Sequence, residues 1–162
     1  MKEDIREMLR ILFVALAVVI PIRLFVAQPF VVKGASMEPN FYEGQYLVVD
    51  ELSYQFRSPR RGEVIILRFP RNPSEYFIKR VLGLPGETIS IREGVLYVSG
   101  PNGAPEQKIA EPYLPSDTIT YNSPGGSTVF TLKANEYFVL GDNRSNSYDS
   151  RVWGVLEGDY VV

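Results

Sequence analysis

The chain has 162 residues, with 17 basic and 19 acidic side chains and a net charge of −2. This length suffices for one modest domain with a hydrophobic core. The near-neutral charge, without a basic face, argues against nucleic acid as a main partner. The sequence contains neither cysteine nor histidine, which excludes a cysteine nucleophile, a histidine general base, disulfide bonds and the usual zinc sites. A hydrolase of this composition needs Lys, Asp, Glu or a metal-bound water as its base.

The N-terminal segment, residues 1–28, is predicted to be a transmembrane anchor. A charged stretch up to Arg10 precedes an almost wholly apolar run that ends at Ala27, and this run is near the lower length limit for a membrane-spanning helix. Arg23 lies toward its end, where the side chain can reach the interface. A cleavable signal peptide fits less well because Phe25 occupies a position that needs a small residue, and a buried core helix is the third alternative. The basic residues before the run favour an extracytoplasmic location for the remainder.

Residues 29–162 are predicted to form a mostly β domain. Short runs rich in Val, Ile, Leu, Phe and Tyr alternate with turn signals such as Leu84-Pro85-Gly86. This spacing favours a coiled antiparallel sheet or a barrel-like domain over a βαβ fold. Residues 100–127 are predicted to be a loop excursion or a small subdomain. We expect strands at 30–33, 45–50, 63–69, 75–82, 88–92, 95–99, 118–121, 128–132 and 137–140, with 158–162 closing the chain.

The first stretch with chemical potential is Gly34-Ala35-Ser36-Met37-Glu38-Pro39, just after the first predicted strand. The small residues before the serine allow a close backbone approach, and the proline fixes the turn beyond it. Most single serines have only structural roles. The stretch alone is therefore a weak indication that Ser36 is a nucleophile.

The second stretch places a lysine inside a predicted strand. Strand alternation puts Lys79 between Phe77 and Val81 on one face of the sheet. If that face is buried, desolvation lowers the lysine pKa by as much as about 3–5 units, and the neutral amine can accept a proton. A neutral amine is the base that a serine hydroxyl needs where histidine is lacking. The alternative is a surface lysine at an exposed sheet edge.

The third stretch, Gly141–Gly154, reads GDNRSNSYDSRVWG and has neither a helical nor a strand period. Apolar residues border it at both ends, so its buried polar side chains need partners. Taken alone, it fits a solvated loop or a polar scaffold around a catalytic site. A calcium loop fits less well because the EF-hand spacing is lacking. Its ligands would be Asp142, Asn143, Asn146 and Asp149.

Together, the motifs SMEP, KRVLGLPGE and GDNRSNSYDSRVWG resemble the type I signal peptidases, which are membrane-bound Ser–Lys proteases. The order and spacing are those of the family, and the resemblance extends from the predicted anchor to the end of the chain. It implies that Ser36 is the nucleophile, that Lys79 is the general base and that Ser147 orients the lysine amine. It also implies a supporting shell of ion pairs formed by Asp142, Asp149, Arg80 and Arg151.

The resemblance further implies a catalytic domain on a bacterial cell membrane or a thylakoid membrane, without metal or cofactor. The partners would be the lipid bilayer and the signal peptides of preproteins, with small residues before the cut. Phe30, Val32 and Ile78 are candidate walls of the substrate pockets, although an ordinary core position is the alternative for each. The Ser36 backbone N–H is the expected oxyanion donor. Gly34 occupies the position where some members carry a second donor, so that donor stays open.

Two other functions stay open from the sequence. One is a catalytically inactive, membrane-tethered β adaptor that binds peptides, but the presence of Ser36, Lys79 and Ser147 together argues against it. The other is a self-cleaving Ser–Lys regulator, which the apolar N-terminal run and the lack of a DNA-binding module oppose. Family members usually continue past the stretch that matches Gly158–Val162 with another strand, so the pairing of the last strand also stays open.

Overall fold

The structure, a computed structural model, describes residues 2–25, 27–50, 53–101 and 104–162. Backbone contacts group the chain into two units. Residues 1–30 and 46–58 form the first unit, and residues 31–45 and 59–162 form the second. Residues 46–58, which sequence analysis assigned to the β domain, thus group with the N-terminal segment. The division of the chain after residue 28 stays a prediction.

The first unit contains two helices and a two-stranded sheet. Helix α1 spans Lys2–Phe25, strand β1 spans Ala27–Val31, strand β2 spans Tyr46–Asp50 and helix α2 spans Ser53–Phe56, with β1 and β2 paired. Helix α1 exposes large apolar side chains along its length from Ile5 to Ile20. Among the described residues, no helix has the length and hydropathy that crossing a membrane requires.

The second unit consists mainly of antiparallel strands. Its described residues form two four-stranded sheets, ordered β10-β9-β4-β3 and β7-β6-β5-β8. The mostly β, antiparallel architecture expected from the sequence is therefore confirmed. The strands are β3 Val64–Phe69, β4 Asn72–Gly83, β5 Thr88–Arg92, β6 Val95–Ser99, β7 Gln107–Lys108, β8 Val129–Thr131, β9 Glu136–Leu140 and β10 Leu156–Glu157. Helix α3, Ser150–Trp153, lies between β9 and β10 in the chain, and a 3-10 helix, Gly158–Tyr160, follows β10.

Both sheets contribute to a single buried apolar cluster. Leu82 and Phe138 enter it from the first sheet, and Ile89 and Leu96 enter it from the second. The chain passes from β4 toward β5 at Gly83, where a Cβ would overlap side chains of this cluster. Glycine therefore permits the close approach of β4 to the core, and the packing holds β4 firmly as an inner strand.

Two stretches depart from the predicted strands. Residues 118–121 form no strand because their polar groups bond elsewhere: the Thr120 N–H donates to the Gly94 carbonyl, and the Tyr121 carbonyl accepts from Arg151. At the end of the chain, the predicted strand 158–162 is replaced by the 3-10 helix. Pairing with β3 is reduced there to an isolated antiparallel bridge between Val161 and Leu67, beside which the Val162 N–H donates to the Ile66 carbonyl.

A buried ion pair fixes the segment between β9 and β10. Asp149 accepts two bonds from the Arg151 guanidinium, at 2.8 and 2.7 Å, and a third from the Gly141 N–H at 3.1 Å. Arg151 also donates to the carbonyls of Tyr121 and Arg144. Asp149 is fully buried and Arg151 is almost so. Charges in this environment are tolerated only when paired, so the pair determines the path of the loop.

We expect Asp149→Ala to lower the free energy of unfolding by about 3–5 kcal/mol, because it leaves the buried Arg151 charge uncompensated. Thermal or denaturant unfolding measures the loss. The control is Asp117→Ala, at an exposed carboxylate, for which a change within about 0.5 kcal/mol is expected. Equal stability of the two variants would show that the pair does not hold the fold.

Candidate active site

The candidate base, Lys79, lies on the inner strand β4 between β3 and β9. Its side chain is buried, with 3% of the residue exposed, so the alternative of a solvated lysine at a sheet edge does not apply. Its Nζ lies 2.8 Å from the Oγ of Ser36 and donates to the Ile78 carbonyl at 2.9 Å. The Phe77 ring centroid lies 5.4 Å from the same nitrogen. The amine thus contacts the serine hydroxyl in a largely apolar environment.

Burial changes the protonation of this amine. It lowers the pKa of Lys79 from 10.5 to about 8, against the opposing effect of the Asp149 and Asp142 carboxylates, while Arg151 adds to the lowering. Removing water from around a charged amine disfavours the ammonium form. A substantial fraction of Lys79 is therefore neutral at mildly alkaline pH, with a lone pair free to accept a proton.

The turn that carries Ser36 is fixed by the polar loop. The Asn143 N–H donates to the Ser36 carbonyl at 3.1 Å, and its side-chain amide donates to the Ala35 carbonyl at 3.0 Å. Met37, directly after the serine, is fully buried. A Cβ at Gly141 would overlap the Ser36 carbonyl, so a glycine is needed where the loop passes the turn. These contacts hold the hydroxyl against Lys79.

Ser147 lies beside the Ser36 turn but does not make the predicted hydrogen bond with the Lys79 amine. A Cβ at Gly141 would overlap the Ser147 Oγ as well as the Ser36 carbonyl, which shows how close the two serines come. The Ser147 Oγ is buried and has no hydrogen-bond partner among the described residues. The bonds of the Lys79 amine go to Ser36 and Ile78 instead.

Arg80, which follows Lys79 in β4, forms a second buried ion pair with Asp142. The Arg80 guanidinium donates to both oxygens of Asp142, at 2.8 and 2.6 Å, and its third bond goes to the Gly62 carbonyl at 2.8 Å. Asp142 also accepts from the Asn40 amide at 2.8 Å. The four charged residues predicted as a shell thus form two separate pairs, Arg80 with Asp142 and Arg151 with Asp149.

The candidate pocket walls are found in different environments. Val32 and Ile78 are buried, whereas Phe30 is half-buried and belongs to the first unit. None of the three lines an open groove of about 540 Å³ in the second unit, which is formed by residues from 38–39, 115–121 and 142–145. The assignment of the walls therefore stays a prediction.

Several residues around the site were not predicted from the sequence. They are Asn143, which the sequence indicated only as a possible calcium ligand, together with Asn40 and Tyr113. Asn40 bonds both Asp142 and the Tyr113 carbonyl. These contacts join residues that are 73 and 102 positions apart, so no local pattern could have revealed them. In chemical terms, the assembled site presents a hydroxyl to a buried amine, which is the arrangement for nucleophilic catalysis with a lysine base.

The chain is similar to known proteins of one family. The profile of the family described as signal peptidase, peptidase S26, matches residues 5–162. The signal peptidase I of Bacillus caldolyticus is 37% identical over 161 residues, which cover 93% of this chain and 83% of the relative. The probable signal peptidase I-1 of Synechocystis sp. is 34% identical over 165 residues, covering 98% of this chain and 79% of the relative.

A solved structure supports the same relationship. The crystal structure of a signal peptidase I from Enterococcus faecalis V583 superposes with a TM-score of 0.50 at 31% sequence identity, covering 65% of this chain and 94% of that one. The likeness thus extends from sequence to fold. With a family match over nearly the whole chain, this protein belongs to the signal peptidase family, peptidase S26.

Proposed function

We propose that this protein is a serine endopeptidase that removes signal peptides from exported preproteins, with Ser36 as nucleophile and Lys79 as general base. The observation that carries the proposal is the 2.8 Å separation between Lys79 Nζ and Ser36 Oγ at a buried position. The relatives named signal peptidase I support the same substrate class. An inactive peptide-binding adaptor would gain nothing from a buried lysine at this distance.

The proposed reaction follows the usual two steps of a serine peptidase. Neutral Lys79 takes the hydroxyl proton as Ser36 Oγ attacks the carbonyl before the cut, forming a tetrahedral intermediate. The resulting ammonium gives that proton to the leaving amine as the peptide bond breaks, which leaves an acyl-enzyme. Lys79 then takes a proton from water as the hydroxide attacks the ester, and gives this proton to Ser36 Oγ as the acyl–oxygen bond breaks, which restores the serine hydroxyl and the neutral amine. The Ser36 backbone N–H is the proposed donor to the oxyanion.

The substrate is proposed to bind as an extended strand, with pockets at Phe30, Val32 and Ile78 that admit only small side chains. We also propose that α1 anchors the protein in a membrane, with the β domain on the extracytoplasmic side. The apolar side chains exposed along α1 support this anchoring, because such a surface is costly in water and favourable in lipid.

Ser147 and the two ion pairs are proposed to support the dyad without reacting. The buried Ser147 Oγ has unused bonding capacity beside the Ser36 turn, and a buried hydroxyl without a partner is unfavourable. We propose that it bonds the Lys79 amine during the reaction. The Asp142 and Asp149 carboxylates are already paired with arginines, so they hold the loop and are not proton carriers.

We expect Ser36→Ala and Lys79→Arg each to lower the rate of preprotein cleavage by about 10²- to 10⁴-fold or more, because a nucleophile or a general base is lost. Arginine keeps the positive charge but cannot become neutral. Turnover of a purified preprotein measures the effect. The control is Lys133→Arg, at a side chain that is 85% exposed, which should cleave like the wild type. Normal processing by Lys79→Arg would contradict the assignment of the base.

The rate of cleavage should rise with pH along a limb centred near 8, the pKa to which burial lowers Lys79. The sign follows from the mechanism, since only the neutral amine accepts the serine proton and its fraction grows as pH passes the pKa. The pH dependence of kcat/KM measures this limb in the free enzyme. A limb centred near the free-lysine value of about 10.4 would show that the base is solvated.

A further inference from the structure

The segment between β7 and β8, predicted as an excursion, returns to the candidate active site. The Ile109 N–H donates to the Leu96 carbonyl and the Thr120 N–H donates to the Gly94 carbonyl, so both ends of residues 109–120 are fixed to the second sheet. Between these ends, the chain passes over the buried pair formed by Arg80 and Asp142. A stretch with little regular secondary structure thus contributes side chains to the surroundings of the dyad.

Tyr113 makes the central contact of this segment. Its ring centroid lies 3.8 Å from the Arg80 guanidinium carbon, in a cation–π contact. Its hydroxyl donates to the Glu111 carboxylate at 2.7 Å, and its carbonyl accepts from the Asn40 amide at 3.0 Å. Burial, together with the adjacent Glu111 carboxylate, raises the pKa of Tyr113, so the hydroxyl remains a donor. The ring is therefore held in a fixed position over the arginine.

The ring completes the environment of the arginine. The edges of the Arg80 guanidinium are already bonded to Asp142 and to the Gly62 carbonyl, and Tyr113 covers one of its faces. Water is thereby kept from a buried ion pair whose strength depends on its low-dielectric surroundings. A second link comes from Glu111, which pairs with Arg144 of the polar loop.

The Arg80–Asp142 pair connects the two halves of the dyad. Arg80 follows Lys79 directly in β4, and Asp142 lies between Gly141 and Asn143, two loop residues that approach the Ser36 carbonyl. A shift in this pair would therefore alter the position of the strand that carries the base relative to the turn that carries the nucleophile. Displacements of about 1 Å near reacting atoms cost about 10²-fold in rate.

We propose that Tyr113 is a positioning residue for the Ser36–Lys79 dyad, acting through the Arg80–Asp142 pair on which its ring is stacked. The inference rests on the proposed function. It assigns a role in the reaction to the segment 109–120, which would otherwise be a peripheral connection.

Because charged groups face Lys79, the pH dependence of the rate provides a second measurement. A purely structural role of Tyr113 would leave this pH dependence unchanged. These groups are Asp149 and Arg151 from the start of α3, and Asp142 from the loop. If Arg80 moves away from Asp142, the carboxylate becomes less compensated and favours the ammonium form of Lys79. The acidic limb of the pH–rate profile then moves to higher pH.

The experiment compares Tyr113→Phe, which keeps the aromatic face, with Tyr113→Leu and Tyr113→Met, which remove it. Cleavage of a purified preprotein is followed across pH, with the rate normalised to folded enzyme. We expect the two aliphatic variants to lose about 10-fold or more in kcat with little change in KM, and their acidic limbs to move upward. Tyr113→Phe should remain within about twofold of the wild type, because phenylalanine retains the cation–π contact.

Tyr121→Leu is the matched control, because this tyrosine directly follows the segment 109–120 and 64% of its surface is exposed, and it should leave both kcat and the acidic limb unchanged. Folded aliphatic variants with wild-type kcat and an unmoved limb would overturn the positioning role, whatever their melting temperature. A loss in Tyr113→Phe equal to that in the aliphatic variants would also overturn it, since the hydroxyl would then be the group that matters. A wild-type protein that cannot cut preproteins would instead refute the proposed function itself, and the positioning role with it.

Discussion

The contact between a buried lysine amine and the Ser36 hydroxyl is the constraint on which the rest of this structure depends. Lys79 Nζ lies 2.8 Å from Ser36 Oγ, and its residue is only 3% exposed. An ammonium at such a position is costly, so burial shifts the protonation equilibrium toward the neutral amine and lowers the pKa to about 8. In the proposed function, this shift supplies the base which a chain without histidine otherwise lacks. The sheets, the turn and the polar loop all serve to maintain this contact.

The two buried ion pairs compensate the negative charges that lie near Lys79. Each aspartate near Lys79 has its own arginine, Asp142 with Arg80 and Asp149 with Arg151. An unpaired carboxylate beside the lysine would stabilise the ammonium and remove the base. Pairing keeps the carboxylates as structural anchors for the loop while limiting their effect on the amine. The polar loop can therefore lie next to the dyad and still leave Lys79 with a lowered pKa of about 8.

The sequence predicted the elements whose information is local. Strands β5 and β6 were predicted at 88–92 and 95–99 and occur at those bounds, because their apolar runs end in clear turn signals. The prediction of a strand at 118–121 was wrong. The apolar and β-branched composition of this stretch suggested a strand, but its backbone polar groups bond to Gly94 and Arg151. Strand propensity depends on the neighbours available for pairing, and those neighbours are distant in sequence.

In the candidate site too, residues within sequence motifs were predicted, whereas residues brought together by long-range contacts were not. Ser36 and Lys79 were selected from motifs, but nothing local indicates that Asn143 holds the Ser36 turn or that Asn40 joins Asp142 to the Tyr113 carbonyl. Such contacts arise only when the loops converge in three dimensions. The orientation of the Ser147 hydroxyl, which is buried without a hydrogen-bond partner among the described residues, likewise cannot be predicted from a motif, since it depends on the side-chain rotamer.

The most direct test of this account is an NMR titration of the Lys79 amine in the folded protein. The chain contains five lysines, so lysine-labelled protein gives few signals, and their pH dependence can be followed one by one. The signal that disappears in Lys79→Arg identifies the residue. We expect a pKa of about 8 for Lys79. A Lys79 signal that titrates near the free-lysine value of about 10.4 would contradict the assignment of a buried, partly neutral base.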